Sequence, residues 1–308
     1  MSATRSAFGL RGYKAAVIGS FKHIGENNLA LISAGVAFFA MLSLFPALAA
    51  LIALMGLVSD PMVVIAQLED MRPFMPQDVY EIINGQIVSL VTTSSDTLGW
   101  TGIVSLLFAL WSARAGVGAM ITGLNAVYQE KDRNTAKHYF RALLLTVALV
   151  AVGIVALLTL VVVPVVLAFF PLGTAGTIVV EAARWMVAIG VLFAGIGVLY
   201  RFGPNRRAAK IPWLSVGAVV AVAFWALLSI AFSYYVANFG NYNQVYGSIG
   251  AVIAMLIWLW ISSFLVLYGA ALNAQIEMRT KEDSTIGPDR PPGKRGAYAA
   301  DKIIEIEQ

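Results

Sequence analysis

The chain has 308 residues, of which 59% are hydrophobic and 12% charged, with a formal net charge of +4. A soluble domain needs more polar surface than this to cover its core, and the chain carries several apolar runs of the ~20 residues a helix needs to cross a bilayer. With no cysteine, disulfides, thiolate catalysis and thiolate metal sites are excluded.

The opening MSATRSAFGLRGYK lacks an unbroken apolar region followed by a small-residue cleavage site, so no removable signal peptide is expected. Within residues 1–29, Tyr13, Val17, Phe21 and Ile24 alternate with Lys14 and Lys22, which predicts a short amphipathic helix on the membrane surface. Six spanning helices are then predicted over 30–57, 99–124, 142–170, 182–202, 211–237 and 247–276. The fold class is therefore an all-α polytopic membrane bundle, with its spanning domain at residues 30–277.

The first and second spans are separated by an acidic segment, 59–98, in which Val79, Ile82, Ile83, Ile87, Leu90 and Val91 recur at helical spacing after Pro76 and a capping Asp78. This insertion is expected to be an outer amphipathic helix, acting either as a lid or as a packed closure. Pro46 interrupts the first span in SLFPAL, and Pro164 interrupts the third in VVVPVV. The polar stretch SYYVANFGNYNQVYGSIG joins the last two spans, where Gly247 and Gly250 permit a bent entry or close helix approach. These four residues are the candidate kink or gating positions. The tail, 278–308, is rich in Pro, Gly and charge (IGPDRPPGKRG) and is expected to be disordered.

The second span holds the one intramembrane charge, Arg114, in LLFALWSARAGVGAM. At 1.5 Å per residue it lies about 20 Å along the helix from Trp100, where an arginine costs about 2.5–3.5 kcal/mol on insertion scales. No Asp or Glu falls inside a span, since Glu181 and Glu277 sit at helix ends. The partner of Arg114 is then the bundle itself, or the anionic group of a ligand. Arg114, Ser112, Asn125, Asn273 and Tyr246 form the candidate ligand-binding set.

Lys and Arg cluster before the first span, between the second and third, between the fourth and fifth, and after the sixth. The opposite side holds only Arg72 and Arg184. The positive-inside rule therefore predicts cytoplasmic N- and C-termini. No GxxxxGK[ST], HExxH or GxSxG motif occurs, and the two histidines, His23 and His138, are isolated in basic segments and read as interfacial. No catalytic residue, metal or cofactor is expected.

The stretches SAGVAFFAMLSLFPAL, LFALWSARAGVGAMITGLNAVY and especially YNQVYGSIGAVIAMLIWLWISSFLVLYGAALNAQIE resemble the YihY/BrkB family of bacterial inner-membrane proteins, over residues 20 to 278. The resemblance implies an inner-membrane location. It attaches a virulence-factor description, an old ribonuclease label and a suspected role in envelope lipid handling, and it supplies no catalytic residues. The short basic loops lack the acid cluster that RNA cleavage requires. The expected function is translocation of lipids or other anionic amphiphiles. The alternatives are a channel or carrier for a small anion or polar solute, or an envelope scaffold. Membrane lipids are the expected partners and nucleic acid is not; a homo-oligomer is compatible with the sequence.

Overall fold

The computed structural model describes residues 9–58, 69, 84–85, 95–157, 174–207, 215–238, 243–280 and 283–304. The elements are α1 (Leu10–Glu26), α2 (Leu29–Val58), α3 (Ser95–Tyr128), α4 (Thr135–Leu157), α5 (Thr174–Phe202), α6 (Val216–Asn238), α7 (Asn243–Glu277) and the short α8 (Tyr298–Asp301), with no strand among the described residues. Most of the predicted insertion at 59–98 lies outside the described residues, as does Pro164.

Helices α2 to α7 each contain a stretch long and apolar enough to cross a membrane, six among the described residues, as the sequence predicts. An even number of spans returns the chain to its starting side. There α1 packs on α7, and the tail meets the ends of α3 and α7. We call this side the basic end. Its tight connections use left-handed backbone at Asn28 (φ 51°), between α1 and α2, and at Gln129 (φ 53°), just past α3. Such residues end a helix without a long loop.

The buried side chains gather at the basic end. The core joins Leu29 and Val36 of α2, Met120, Leu124, Val127 and Tyr128 of α3, Ile196, Leu199 and Tyr200 of α5, Ala218 and Ala221 of α6, Leu267, Ala270, Ala271 and Ala274 of α7, and Met278 just after it. Small residues let the backbones meet, because helix association in lipid depends on close packing more than on the hydrophobic effect. The tightest crossing is Gly217 of α6 against Gly269 of α7, where a Cβ on either residue would overlap the other's carbonyl oxygen. The Gly217 N–H donates to Asn273 Oδ1 at 2.8 Å beside this contact, and the Tyr200 hydroxyl from α5 donates to the Val266 carbonyl at 2.6 Å.

At this crossing the obstacle is backbone, so no rotamer change relieves an added methyl. Gly217→Ala or Gly269→Ala is expected to cost about 3 kcal/mol or more, read as a large drop in melting temperature or loss of a monodisperse peak in detergent. Gly153→Ala and Gly190→Ala, whose Cβ atoms would meet nothing within 4 Å, are expected to be neutral or to stabilise by up to about 1 kcal/mol.

Candidate functional site

The predicted ligand residues do not converge on one pocket. Arg114 lies on the face of α3 toward α4, because Gly118, one turn on, abuts His138 and Ala142. Its guanidinium carbon is 4.1 Å from the centroid of the Tyr139 ring, a cation–π contact, and its Nε is enclosed without an acceptor. Ser112 is fully buried and its hydroxyl has no partner. It occupies a different face of α3, that of Gly116, which meets Val36, Phe39 and Ala40 of α2.

Asn125 and Asn273 spend their polar atoms on the protein. The Asn125 carbonyl oxygen accepts the Asn205 N–H at 2.8 Å, and its amide donates to Asp132 at 2.7 Å, so it joins the α3–α4 turn to the segment after α5. Asn273 accepts from Gly217 and donates to Ser215 Oγ at 2.8 Å. That oxygen in turn accepts the Ala218 N–H, which caps α6. The Tyr246 side chain is outside the described residues. Gly247 and Gly250 lie within an unbroken α7, and Pro46 lies within an unbroken α2. His23, read from sequence as interfacial, is buried with a ring nitrogen 2.9 Å from the Val127 carbonyl, and it ties α1 to α3.

The basic end is closed by a charged junction between residues distant in sequence. Arg206, after α5, grips Glu277 at the end of α7 through two parallel bonds of 2.7 and 2.5 Å, with both side chains almost wholly buried. The Arg206 guanidinium lies 4.8 Å from the centroid of the Tyr128 ring, and the Ser284 hydroxyl also donates to Glu277. Burial alone would lower the basicity of Arg206, but the bonds to Glu277 overcome that and hold it charged.

The tail is folded across this junction, which corrects the expectation of disorder for residues 283–304. The Arg207 N–H donates to the Gly296 carbonyl at 3.0 Å, the Tyr298 N–H to Glu130 at 2.8 Å, and the Ile304 N–H to the Met278 carbonyl at 2.7 Å. Gly287, at φ 107°, lets the tail backbone press against the Arg207 guanidinium, where a Cβ would collide. Ala297, Ala299 and Ala300 are buried, as is Arg295, which donates to the Arg290 and Ala300 carbonyls. Burial pushes the Asp283 carboxyl upward, yet the N–H and hydroxyl of Thr285, the Arg290 N–H and the Arg295 charge hold it at about 2. Burial also raises the Glu130 carboxyl, against the opposing bond from Tyr298.

A second basic feature surrounds the C-terminus of α5. Arg133 donates to the Gly203 and Pro204 carbonyls at 2.9 and 2.8 Å, and Arg141 donates to the Phe202 carbonyl at 2.8 Å. The guanidinium carbons of Arg141 and Arg201 lie 5.7 and 5.6 Å from the centroid of the Phe202 ring. Burial, with the like charge of Arg141, lowers Arg133 below the usual arginine range.

Away from the basic end, buried side chains become scarce in α4 to α7. On α7 no described side chain from Val252 to Ser262 is buried, whereas Ser263 and the run from Leu267 to Gln275 are. The same change occurs in α4 after Thr146, in α5 before Ile196 and in α6 after Ala221. Adjacent helices still touch there: Trp225 and Phe232 of α6 stack with Trp258 of α7, and Gly195 of α5 meets Val152 and Leu149 of α4. Among the described residues, burial in α4 to α7 is therefore concentrated at the basic end.

Two outcomes follow from the junction. Removing one partner of a buried ion pair strands the other charge, so Glu277→Gln or Arg206→Met is expected to cost about 3–5 kcal/mol in a thermal or denaturant melt, with the double variant R206M/E277Q recovering part of it. The Asp283 carboxyl is lower in the folded tail than the ~3.9 of an unfolded chain. Its contribution is therefore complete above pH ~4 and is lost as pH falls through about 2. Asp283→Asn is expected to make the tail more sensitive to limited proteolysis at neutral pH, where wild type is protected.

Comparison with known proteins places the chain. The family described as virulence factor BrkB matches residues 20–294. The putative ribonuclease-like protein YfkH of Bacillus subtilis is 33% identical over 271 residues, covering 84% of this chain and 92% of that protein. A UPF0761 membrane protein of Histophilus somni is 37% identical over 90 residues (29% of this chain, 31% of that protein), and one of Idiomarina loihiensis is 31% identical over 93 residues (30% and 32%). No solved structure matches. With a six-span helical bundle and a family match over most of its length, the chain is an integral membrane protein of the BrkB family.

Proposed function

We propose that the protein translocates lipids or other anionic amphiphiles across a bacterial inner membrane, with the basic end and both termini in the cytoplasm. The observation that carries this reading is the one-ended packing. The basic end is sealed by Arg206, Glu277 and the tail, while over about 16 Å of α7 at 1.5 Å per residue no described side chain is buried. Apolar side chains left exposed in this way offer walls to acyl chains, and sealing at one end is what alternating access requires of one of its states. The Lys and Arg clusters at the sealed end support the cytoplasmic assignment.

Arg114 is the proposed headgroup contact. It faces an aromatic ring rather than a carboxylate, so its charge remains available to a phosphate or carboxylate. The placement of Ser112 and Arg114 on different faces of α3, and the commitment of Asn273 to α6, favour this over a narrow aqueous channel lined by all three. The ribonuclease wording attached to the Bacillus relative finds little chemistry to attach to here. Glu277 is bound to Arg206, Glu130 to Tyr298, Asp132 to Asn125, Asp283 to Thr285 and Arg290, and Asp301 to Gly293 and Arg295.

In proteoliposomes containing a fluorescent anionic phospholipid, the purified protein is expected to accelerate exposure of inner-leaflet lipid to an external quencher. Arg114→Ala is expected to slow that rate about tenfold, the worth of one charge-assisted contact, with an unchanged melting temperature. An unaltered rate would remove Arg114 from the mechanism, and no rate above protein-free vesicles would remove translocation.

A further inference from the structure

We propose that Arg133, Arg141 and Arg201, gathered around Phe202 where α4 and α5 meet the basic end, form a binding site for a phosphate group, supplied in the membrane by the headgroup of an anionic phospholipid. This site is separate from Arg114 and does not depend on the translocation reading.

Three features of the geometry carry it. Arg133 and Arg141 are held in place by the carbonyls of Phe202, Gly203 and Pro204, so little side-chain freedom remains to be lost when an anion arrives. Arg201 completes the group, with its guanidinium near the same ring as Arg141. Its Nε is enclosed and has no protein acceptor. The charge of the cluster is also largely uncompensated. The α5 carbonyl terminus supplies only about half a negative charge. The ion pairs Lys22–Glu26 and Arg206–Glu277 do not involve these arginines, and the acid acting on Arg133, Asp132, accepts from Asn125.

Depth selects the source of the phosphate. Arg201 and Phe202 end one membrane-crossing stretch, and Arg141 lies in the first two turns of the preceding one. Phe202 and Phe140 are exposed beside them. Guanidiniums level with the membrane boundary and flanked by exposed phenyl rings meet a lipid phosphate and the start of its acyl chains together. A soluble phosphate would use only the first of these contacts.

The test uses the full chain in a zwitterionic detergent. Phosphatidylglycerol, phosphatidylcholine or inorganic phosphate is titrated, while the melting temperature and the lipid retained in native mass spectrometry are followed. Phosphatidylglycerol is expected to raise the melting temperature and to remain bound, whereas phosphatidylcholine does neither. The double variant R141Q/R201Q is expected to weaken phosphatidylglycerol binding about tenfold or more. Arg201→Lys, which keeps the charge, is expected to retain most of the binding. Lys14→Gln with Lys22→Gln removes the same charge from α1 and is expected to leave binding unchanged; this control separates the site from general attraction to basic protein. If R141Q/R201Q melts below wild type without lipid, retained lipid in Arg201→Gln alone is the deciding reading. Equal retention in wild type and these variants, or an equal loss in the α1 control, would overturn the site. An equal response to inorganic phosphate would overturn its assignment to lipid.

Discussion

The buried pair of Arg206 and Glu277 holds the basic end together. Two full charges removed from water are expensive unless their geometry is close and their remaining bonding capacity is met. Here the pairing is bidentate, Ser284 adds a donor to Glu277, and the Tyr128 ring lies beneath the guanidinium. These partners come from α3, the segment after α5, α7 and the tail. A single interaction thus fixes where four parts of the chain end relative to one another. The surrounding helices can then be nearly all apolar without losing their register.

Around this pair, shape takes over from charge. The glycines and alanines of α6 and α7 bring backbones into contact, and the Gly217–Gly269 crossing leaves no room for a methyl group. Asn273 and Ser215 satisfy the first turn of α6 at the same place, so the tightest packing and the helix start reinforce each other. Beyond that level the side chains become larger and aromatic and few are buried, with α6 and α7 in contact through Trp225, Phe232 and Trp258. A bundle fastened at one end can change the separation of its other end with little cost to its core.

Acids are scarce near the spans, and this shapes how the arginines are used. Arg133 and Arg141 cap carbonyls at the end of α5, Arg201 and Arg141 lie near Phe202, and Arg114 lies over Tyr139. Rings and carbonyls steady a guanidinium without cancelling its charge, whereas a carboxylate cancels it. Arg206, by contrast, is paired with a carboxylate, and it is at the seal. Arg133, Arg141 and Arg201 lie near the ends of membrane-crossing stretches, and Arg114 lies within one.

The amino-acid sequence by itself determined the spans, their number and the helical class, because a ~20-residue apolar run has few alternatives to a membrane helix and that signal is local. It also marked Arg114, since a lone charge in an apolar run is visible without any structure. It could not show that Ser112 and Arg114 occupy different faces of α3 in contact with different helices, or that Asn125 and Asn273 are occupied by bonds to Asn205 and Gly217, 80 and 56 residues away. The tail was misjudged for the same reason. Its composition lacks a core of its own, but Arg207, Glu130 and Met278 supply one from distant parts of the chain. Only the tertiary structure decided which polar groups are used up in closing the basic end and which are left to meet a ligand. That division depends on contacts between residues far apart in sequence, to which hydrophobic periodicity is blind.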